Sequence, residues 1–473
     1  MPKILKKAKS LGQMVFCSGC LEKQRKIDRL EEENASLRAK LKYREKKDKE
    51  EFFGSSTPSS KKKFKKKSSQ ENQKKKGGAK PGHKGSKRQL FPIEEADEVV
   101  DYKVDISHCP ECNIALENKE FEERPVIDGE MLKPKRIVFR CEIKRCPKCR
   151  KIFSRKAPVL KRHKYGTQFI SNSAVMHYVH GIPLKRLEEL WGNDVIEGNP
   201  IKIFHRIAKI FEPVMEQLKE DYQQAEVKHA DETGWRTDGD NGYSWLNTCG
   251  HTSIFSFRGT RSGKIVTEIL GEKKLPGVLV VDRYAAYNRA PCQLQYCYAH
   301  LLRDVKDLEK EFPKESEIKR FVNSAAPLLS RAMSLRNEKI SDKKYYKDAQ
   351  KLKEDIMEVM NSPGKHPGIQ KIQNIFREKI DRLFHWVKSR NVPADNNYAE
   401  RELRPTVVAR KVSYGSQSKK GARTRSILMS VLCTVKKRLK SGNVESWLNK
   451  TLQEYIHNPD IDPCTLLPDI PAD

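Results

Sequence analysis

The spacing of apolar residues changes several times along the chain, and each change predicts an element. Residues 277–281 form an unbroken apolar run that ends at Asp282 and reads as a buried strand. A shorter strand-like stretch around Val227 leads to Asp231. Residues 243–248 and 252–257, with Gly250 between them, read as two strands of an antiparallel meander. A helical stretch at 264–270 precedes the Asp282 strand, and another strand-like segment follows at 295–299. Largely helical sequence over about 303–390 then leads to Glu400, on a helix that Asp395 can cap and Pro405 is expected to stop.

Three strands, a helix, two further strands and then helices is the order of an α/β RNase H-like core with a helical insertion. The order would place Asp231 and Asp282 at strand ends and Glu400 on a later helix. Two acids at strand ends and one on a helix can hold a pair of divalent metals for phosphoryl transfer. Glu232 should point to the other face of a continuing strand, and Glu402 should face away from Glu400 on the helix.

Ahead of this core, residues 168–212 alternate helical stretches near 184–191 and 200–211 with turn residues. The arrangement fits a helix-turn-helix-like DNA-binding region or a plain helical connector. Residues 21–50 are charged and helix-forming. Ile27, Leu30, Leu37 and Leu41 take a and d positions, and Asn34 takes an a position, which favours a parallel, in-register dimer. The same seam could instead pack on its own chain.

Charge sharpens the picture. The chain has 473 residues and a formal net charge of +31. Residues 61–90 alone hold 13 Lys or Arg against one Glu. A polyanion is the natural partner for such a tract, since each neutralised phosphate releases counterions. The segment 51–90 is rich in Ser, Lys, Gly and Pro and has too little apolar surface for a core. Lys80, His83 and Lys84 within it could follow a phosphate backbone. No apolar run reaches membrane-spanning length, and the first residues lack a secretory signal, so a cytoplasmic protein is expected.

Cys109-Pro-Glu-Cys112 and Cys146-Pro-Lys-Cys149 flank a strand-like stretch around 136–140. Two such knuckles supply four thiolates, the tetrahedral set of a structural Zn²⁺ ribbon with no open position for catalysis. Cys17 and Cys20 make a single pair with no evident second half.

Three segments resemble the catalytic signature of bacterial DDE transposases of the insertion sequence 66 family. They are His229-Ala-Asp-Glu-Thr-Gly-Trp235, the Asp-x-Tyr-x-x-Tyr pattern of Asp282, Tyr284 and Tyr287, and Asp395-Asn-Asn-Tyr-Ala-Glu-Arg-Glu-Leu-Arg-Pro405. Tyr296-Cys-Tyr-Ala-His-Leu301 and the stretch at 77–85 also fit. The resemblance implies that Asp231, Asp282 and Glu400 bind Mg²⁺ or Mn²⁺, cleave DNA at element ends and transfer the freed 3′-hydroxyl into target DNA. It implies supporting roles for His300 and Asn397, although a hydrogen-bonded structural histidine would serve equally at 300. It also implies a homo-oligomer acting on paired ends, with accessory proteins of the same element as further partners, in a bacterial, nucleoid-associated setting.

Arg404 could contact phosphate, orient Glu400 or simply pair on the helix. Arg410 and Lys411 open a stretch expected to be a basic loop, suited to phosphate contacts or to plain flexibility. The expected organisation is a coiled coil at 1–50, a basic linker at 51–90 and a zinc ribbon at 91–160. A helical DNA-binding region at 161–215, the catalytic domain at 216–426 and a helical tail at 427–473 complete it. Two other functions use the same features: a zinc-ribbon DNA-binding regulator with a vestigial core, and a nuclease without strand transfer.

Overall fold

The computed structural model describes residues 19, 22–31, 33–34, 37–38, 41, 139, 143–145, 152–154, 159–160, 165–191, 199–440 and 442–471. Lys80, His83, Lys84, Cys109, Cys112, Cys146 and Cys149 lie outside the described residues, as do the linker and most of the expected ribbon. A short antiparallel pair, β1 (Ile143–Arg145) and β2 (Ile152–Ser154), brackets the second Cys-x-x-Cys pair in the sequence. Within the stretch expected as a strand at 136–140, Phe139 is described, and it has no regular structure. The described positions of the N-terminal seam are helical, and Ile27, Leu30, Leu37 and Leu41 are all exposed on them.

The helices expected before the core are present as α1 (Thr167–Tyr178), α2 (Leu184–Trp191), α3 (Asn199–Ile210) and α4 (Val214–Gln224). The core begins with β3 (Val227–Thr237), β4 (Asp240–Thr248) and β5 (Ser253–Arg258), an antiparallel meander. Asp238 and Gly239 join β3 to β4 with positive φ at both positions (58° and 84°). Asp-Gly tolerates that geometry, and it suits the right-handed twist of the flanking strands.

Helix α5 (Lys264–Leu270) follows, then β6 (Val278–Val281) and β7 (Gln293–Tyr296). The sheet order is β5-β4-β3-β6-β7, with β3, β6 and β7 parallel. This five-stranded mixed sheet with its many helices is compatible with an RNase H-like core. Gly277 enters β6 at φ 73°, where a Cβ would lie 2.1 Å from the Glu226 carbonyl oxygen, so only glycine fits this entry.

The insertion is helical, as expected: α6 (Tyr298–Glu311), α7 (Ser316–Leu335), α8 (Asp342–Asn361), α9 (Pro367–Glu378) and α10 (His385–Lys388). Buried hydroxyls brace it internally, Tyr298 donating to the Leu383 carbonyl (2.7 Å) and Tyr345 to that of Trp386 (2.7 Å). Gln295 of β7 ties it to the sheet by donating to the Leu383 carbonyl (3.1 Å) and accepting from the His385 amide (2.9 Å). The chain continues through α11 (Asn397–Ser413), α12 (Lys419–Arg438) and α13 (Val444–His457). Among the described residues no helix is long and apolar enough to cross a membrane.

Helix α12 covers the open edge of β5. The Ser253 and Phe255 amides, which lack a strand partner on that side, donate to Thr434 Oγ1 (3.0 Å) and Ser430 Oγ (2.8 Å). An uncovered edge would invite pairing with another chain.

Three expectations need correction. Asp231 is not at a strand end, because β3 runs six residues past it with β4 as its partner. Pro405 does not stop its helix: α11 continues to Ser413. Proline removes one intrahelical bond, and the carbonyl it would have used belongs to Arg401, an exposed residue that water can reach. The expected basic loop from 410 therefore shrinks to residues 414–418, since Arg410 and Lys411 are helical.

Candidate active site

Strand register gathers the first two acids. β3 pairs with β6 in parallel through Val227↔Val278, Lys228↔Leu279 and His229↔Val280. Two residues further along the same register lie Asp231 and Asp282. Both fall on the face that carries Val227, His229, Val278 and Val280, because side chains alternate along a strand. That face meets α11, whose first turn carries Glu400 beside the positive end of the helix.

Asn396 fixes the docking of α11. Its side chain is 1% exposed, and its Nδ2 donates to the Ala230 carbonyl (2.8 Å). Its Oδ1 lies 2.9 Å from His229 Nδ1. With the amide oriented by Ala230, the histidine must donate from Nδ1. Burial then holds His229 neutral, with its pKa lowered to about 4. The Asn396 amide donates to Cys297 Sγ (3.1 Å), and Asp395 accepts from the Asn397 amide (3.0 Å). The N-cap position is thus Asn396, whose side chain is turned into the sheet, and Asp395, expected as the cap, lies one residue before it and accepts only from the first helical amide.

The acids stand in an electrostatically strained arrangement. Burial, then the charges of Glu232, Asp282 and Glu400, push the Asp231 carboxyl well above its usual range, against a lowering by the Glu232 amide. Asp282 is 3% exposed. Burial, then Glu232, raise its pKa too, while the Tyr284 amide, Arg261 and Arg283 pull the other way. Its Oδ1 accepts from the Tyr284 amide (2.9 Å), but Oδ2 is buried with no hydrogen-bond partner.

Glu232 lies on the opposite face, as expected, yet it is a missed part of the site. Arg261 donates to Oε1 from Nε (2.8 Å) and also from its terminal nitrogen, and the Tyr287 hydroxyl donates to Oε2. Tyr284 donates to the Arg261 carbonyl and lies under its guanidinium, 3.9 Å from ring centroid to Cζ. The Asp-x-Tyr-x-x-Tyr spacing thus provides one acid and two clamps on a neighbouring ion pair. With both oxygens occupied, Glu232 is a poor metal ligand and Asp231 the better one. Arg283, between Asp282 and Tyr284, pairs with Asp304 on α6.

The other expected residues divide. Arg404 and Lys411 are exposed on α11. Arg410 turns inward instead, donating to Thr233 Oγ1 (3.0 Å) and to the Gly234 carbonyl, so its role is to brace α11 against β3. His300 is buried in the first turn of α6, and Asn397 is half-buried at the first position of α11. Glu402 faces away from Glu400, as expected, and pairs with Lys437 (3.3 Å).

Hard carboxylate oxygens, one of them orphaned, at mutually repelling acids are a donor set suited to Mg²⁺ or Mn²⁺. Among the described residues, however, no three His, Cys, Asp or Glu side chains converge closely enough to hold a single ion. No curated protein matches the chain. Residues 162–424, more than half of the chain, match the Transposase IS66 family, and the chain belongs to that family.

Proposed function

We propose that this transposase cleaves DNA strands at element ends and joins the resulting 3′-hydroxyls to target DNA, with Asp231, Asp282 and Glu400 as its metal-binding acids. The observation that carries the reading is the parallel β3–β6 register, which sets Asp231 beside Asp282 under the first turn of α11. When bound, a Mg²⁺ or Mn²⁺ pair supplies a lowered pKa for the attacking hydroxyl and neutralises charge on the phosphate.

The chain's own residues prepare that chemistry. Asp231 and Asp282 present hard oxygens from rigid strands. Asn396 docks the helix that carries Glu400 against the strand that carries Asp231. Arg261 and Tyr287 occupy both Glu232 oxygens, which keeps that carboxylate from competing with Asp231 and Asp282 for metal. In the first step a water oxygen attacks the phosphorus and the 3′-oxygen leaves, taking a proton. In the second that 3′-hydroxyl attacks a target phosphodiester, loses its proton and displaces the target's own 3′-oxygen. No covalent protein–DNA intermediate is required.

Outside the described residues, Cys109, Cys112, Cys146 and Cys149 would hold a structural Zn²⁺. The exposed Ile27–Leu41 seam would pair two copies, and the charge sequence supports this. In a parallel dimer, Lys26 faces Glu31 and Glu33 faces Arg38 across the g and e positions.

The test starts from the DNA on either side of the gene. Inverted ends bordered by short direct repeats would supply the substrate. Purified protein with Mg²⁺ should then yield joined donor–target products, and Asp282→Asn should yield none. Nicks without joining would make it a nuclease. Sequence-specific binding with no cleavage in any divalent metal would leave the regulator.

A further inference from the structure

The catalytic helix ends in a way that its own stability does not favour. Tyr414 follows α11 in the left-handed conformation (φ 61°, ψ −6°), a position normally filled by Gly or Asn. At 77% exposure it is the most exposed large apolar side chain among the described residues. A bulky residue in a disfavoured conformation, offered to solvent, calls for an explanation beyond packing.

The backbone around it is firmly held. Gly415 passes so close to β3 that a Cβ would lie 2.2 Å from the Arg236 carbonyl oxygen. The Ser416 amide donates to that carbonyl (2.9 Å), and the Ser416 carbonyl accepts from the Asp238 amide (2.9 Å). Trp235 Nε1 donates to Ser416 Oγ (3.2 Å). On the other side, the Tyr414 amide bonds to the Arg410 carbonyl (2.9 Å), and Arg410 is itself anchored to β3. The ring is therefore presented from a rigid mount.

Its surroundings are cationic. Lys411 precedes it on α11, Lys419 and Lys420 open α12, and Arg236 lies on the strand bonded to its mount; all four are exposed. Arg401, Arg404, Val408, Lys411 and Val412 form a continuous exposed stripe along α11. At 1.5 Å per residue, Lys411 lies about 16 Å and Tyr414 about 21 Å along the axis from Glu400. That span corresponds to about six base steps of a duplex at 3.4 Å per step.

We propose that Tyr414 is a base-stacking contact for DNA, with the α11 stripe tracking the phosphate backbone between it and the acids. The proposal deepens the transposase reading and rests on it. An aromatic ring set among cations is the combination that grips unpaired or splayed nucleobases without reading sequence.

The test uses the full chain and a duplex with a single-stranded 3′ extension, followed by fluorescence anisotropy across a salt series. Tyr414→Asn relaxes the backbone and should fold at least as well as the parent, with unchanged or raised Tm. Its affinity should fall about tenfold or more with an unchanged salt slope. Tyr414→Phe should bind like the parent, and Lys411→Ala should lower the salt slope by about one. Equal binding by the parent and Tyr414→Asn would overturn the stacking role, as would equal losses in the Asn and Phe variants. A change in oligomeric state without a change in DNA affinity would assign the ring to a protein contact and overturn it too. If the parent bound no DNA at low salt, the transposase reading would fail first; intact parental cleavage with an indifferent Tyr414 would sink this inference alone.

Discussion

Replacing Asn396 with alanine should damage activity far more than folding. The substitution removes two buried hydrogen bonds, to the Ala230 carbonyl (2.8 Å) and from His229 Nδ1 (2.9 Å). It leaves a carbonyl and an imidazole N–H without partners, at about 1–3 kcal/mol for each unsatisfied buried group. Some of that is recovered if water enters the space left by the amide. A net loss of about 3 kcal/mol is expected, read as a lower urea midpoint with an unchanged slope. Buried Trp235, Trp245 and Trp386 provide the fluorescence signal. Enough stability should remain for a folded population, so cleavage can be measured on native protein. There Glu400 loses the bond that sets its helix against β3, and a displacement of about 1 Å costs about a hundredfold in rate. A His229→Phe, Asn396→Ala double-mutant cycle should show coupling of about 1–2 kcal/mol. A stability loss below about 1 kcal/mol, or full cleavage by the folded variant, would refute the docking argument.

Asp282→Asn removes one of several buried, mutually repelling charges. Without divalent metal at pH 8 it should melt no lower than the parent, while losing both the Mg²⁺-induced rise in Tm and strand cleavage; a lower Tm with an intact Mg²⁺ response would count against a metal site. His177 donates from Nδ1 to the Ile182 carbonyl (2.8 Å) and accepts at Nε2 from Arg425 (2.9 Å), and burial, then Arg425, lower its pKa from 6.5 to about 3. The unfolded chain takes up this proton first, so stability drains as pH falls from 6.5 towards 3, by about 2 kcal/mol at pH 5. His177→Gln should flatten that part of a Tm-against-pH curve, and an unchanged curve would show that other groups govern it. Leu30→Lys should convert a dimer to a monomer by sedimentation velocity, with little change in the melting of the catalytic core; a parent that is already monomeric would end the coiled-coil reading.

Much of the core was legible because strands buried on both faces announce themselves as continuous apolar runs, and Asp282 stands at the end of one. The helical stretch expected at 264–270 coincides with α5, and the insertion is helical as its sequence predicts. The extent of β3 was hidden, because its second half carries Thr233, Gly234, Arg236 and Thr237, a composition that resembles a loop. Only pairing with β4 makes it a strand. Pro405 misled for a related reason, since a proline whose missing bond falls on a solvated carbonyl costs less than one facing a core. The ring of partners around Glu232 could not be read either. Arg261 and Tyr287 come from separate elements, and only the folded sheet brings them together. Asn396 and Asn397 look alike in sequence, and only the fold shows which of them turns inward.

The placement of Glu400 beyond the entire α6–α10 insertion has a consequence for synthesis. A ribosome releases Asp231 and Asp282 early, with their sheet, but the third acid cannot join them until five further helices have emerged. On the proposed mechanism, any chain abandoned before α11 lacks one of its three acids. The two strand acids meanwhile sit beside each other without the residue that completes their set. If the three acids cut DNA as proposed, cutting is reserved for molecules whose translation has run past Glu400. On that reading the gene's own layout screens out fragments able to nick a chromosome.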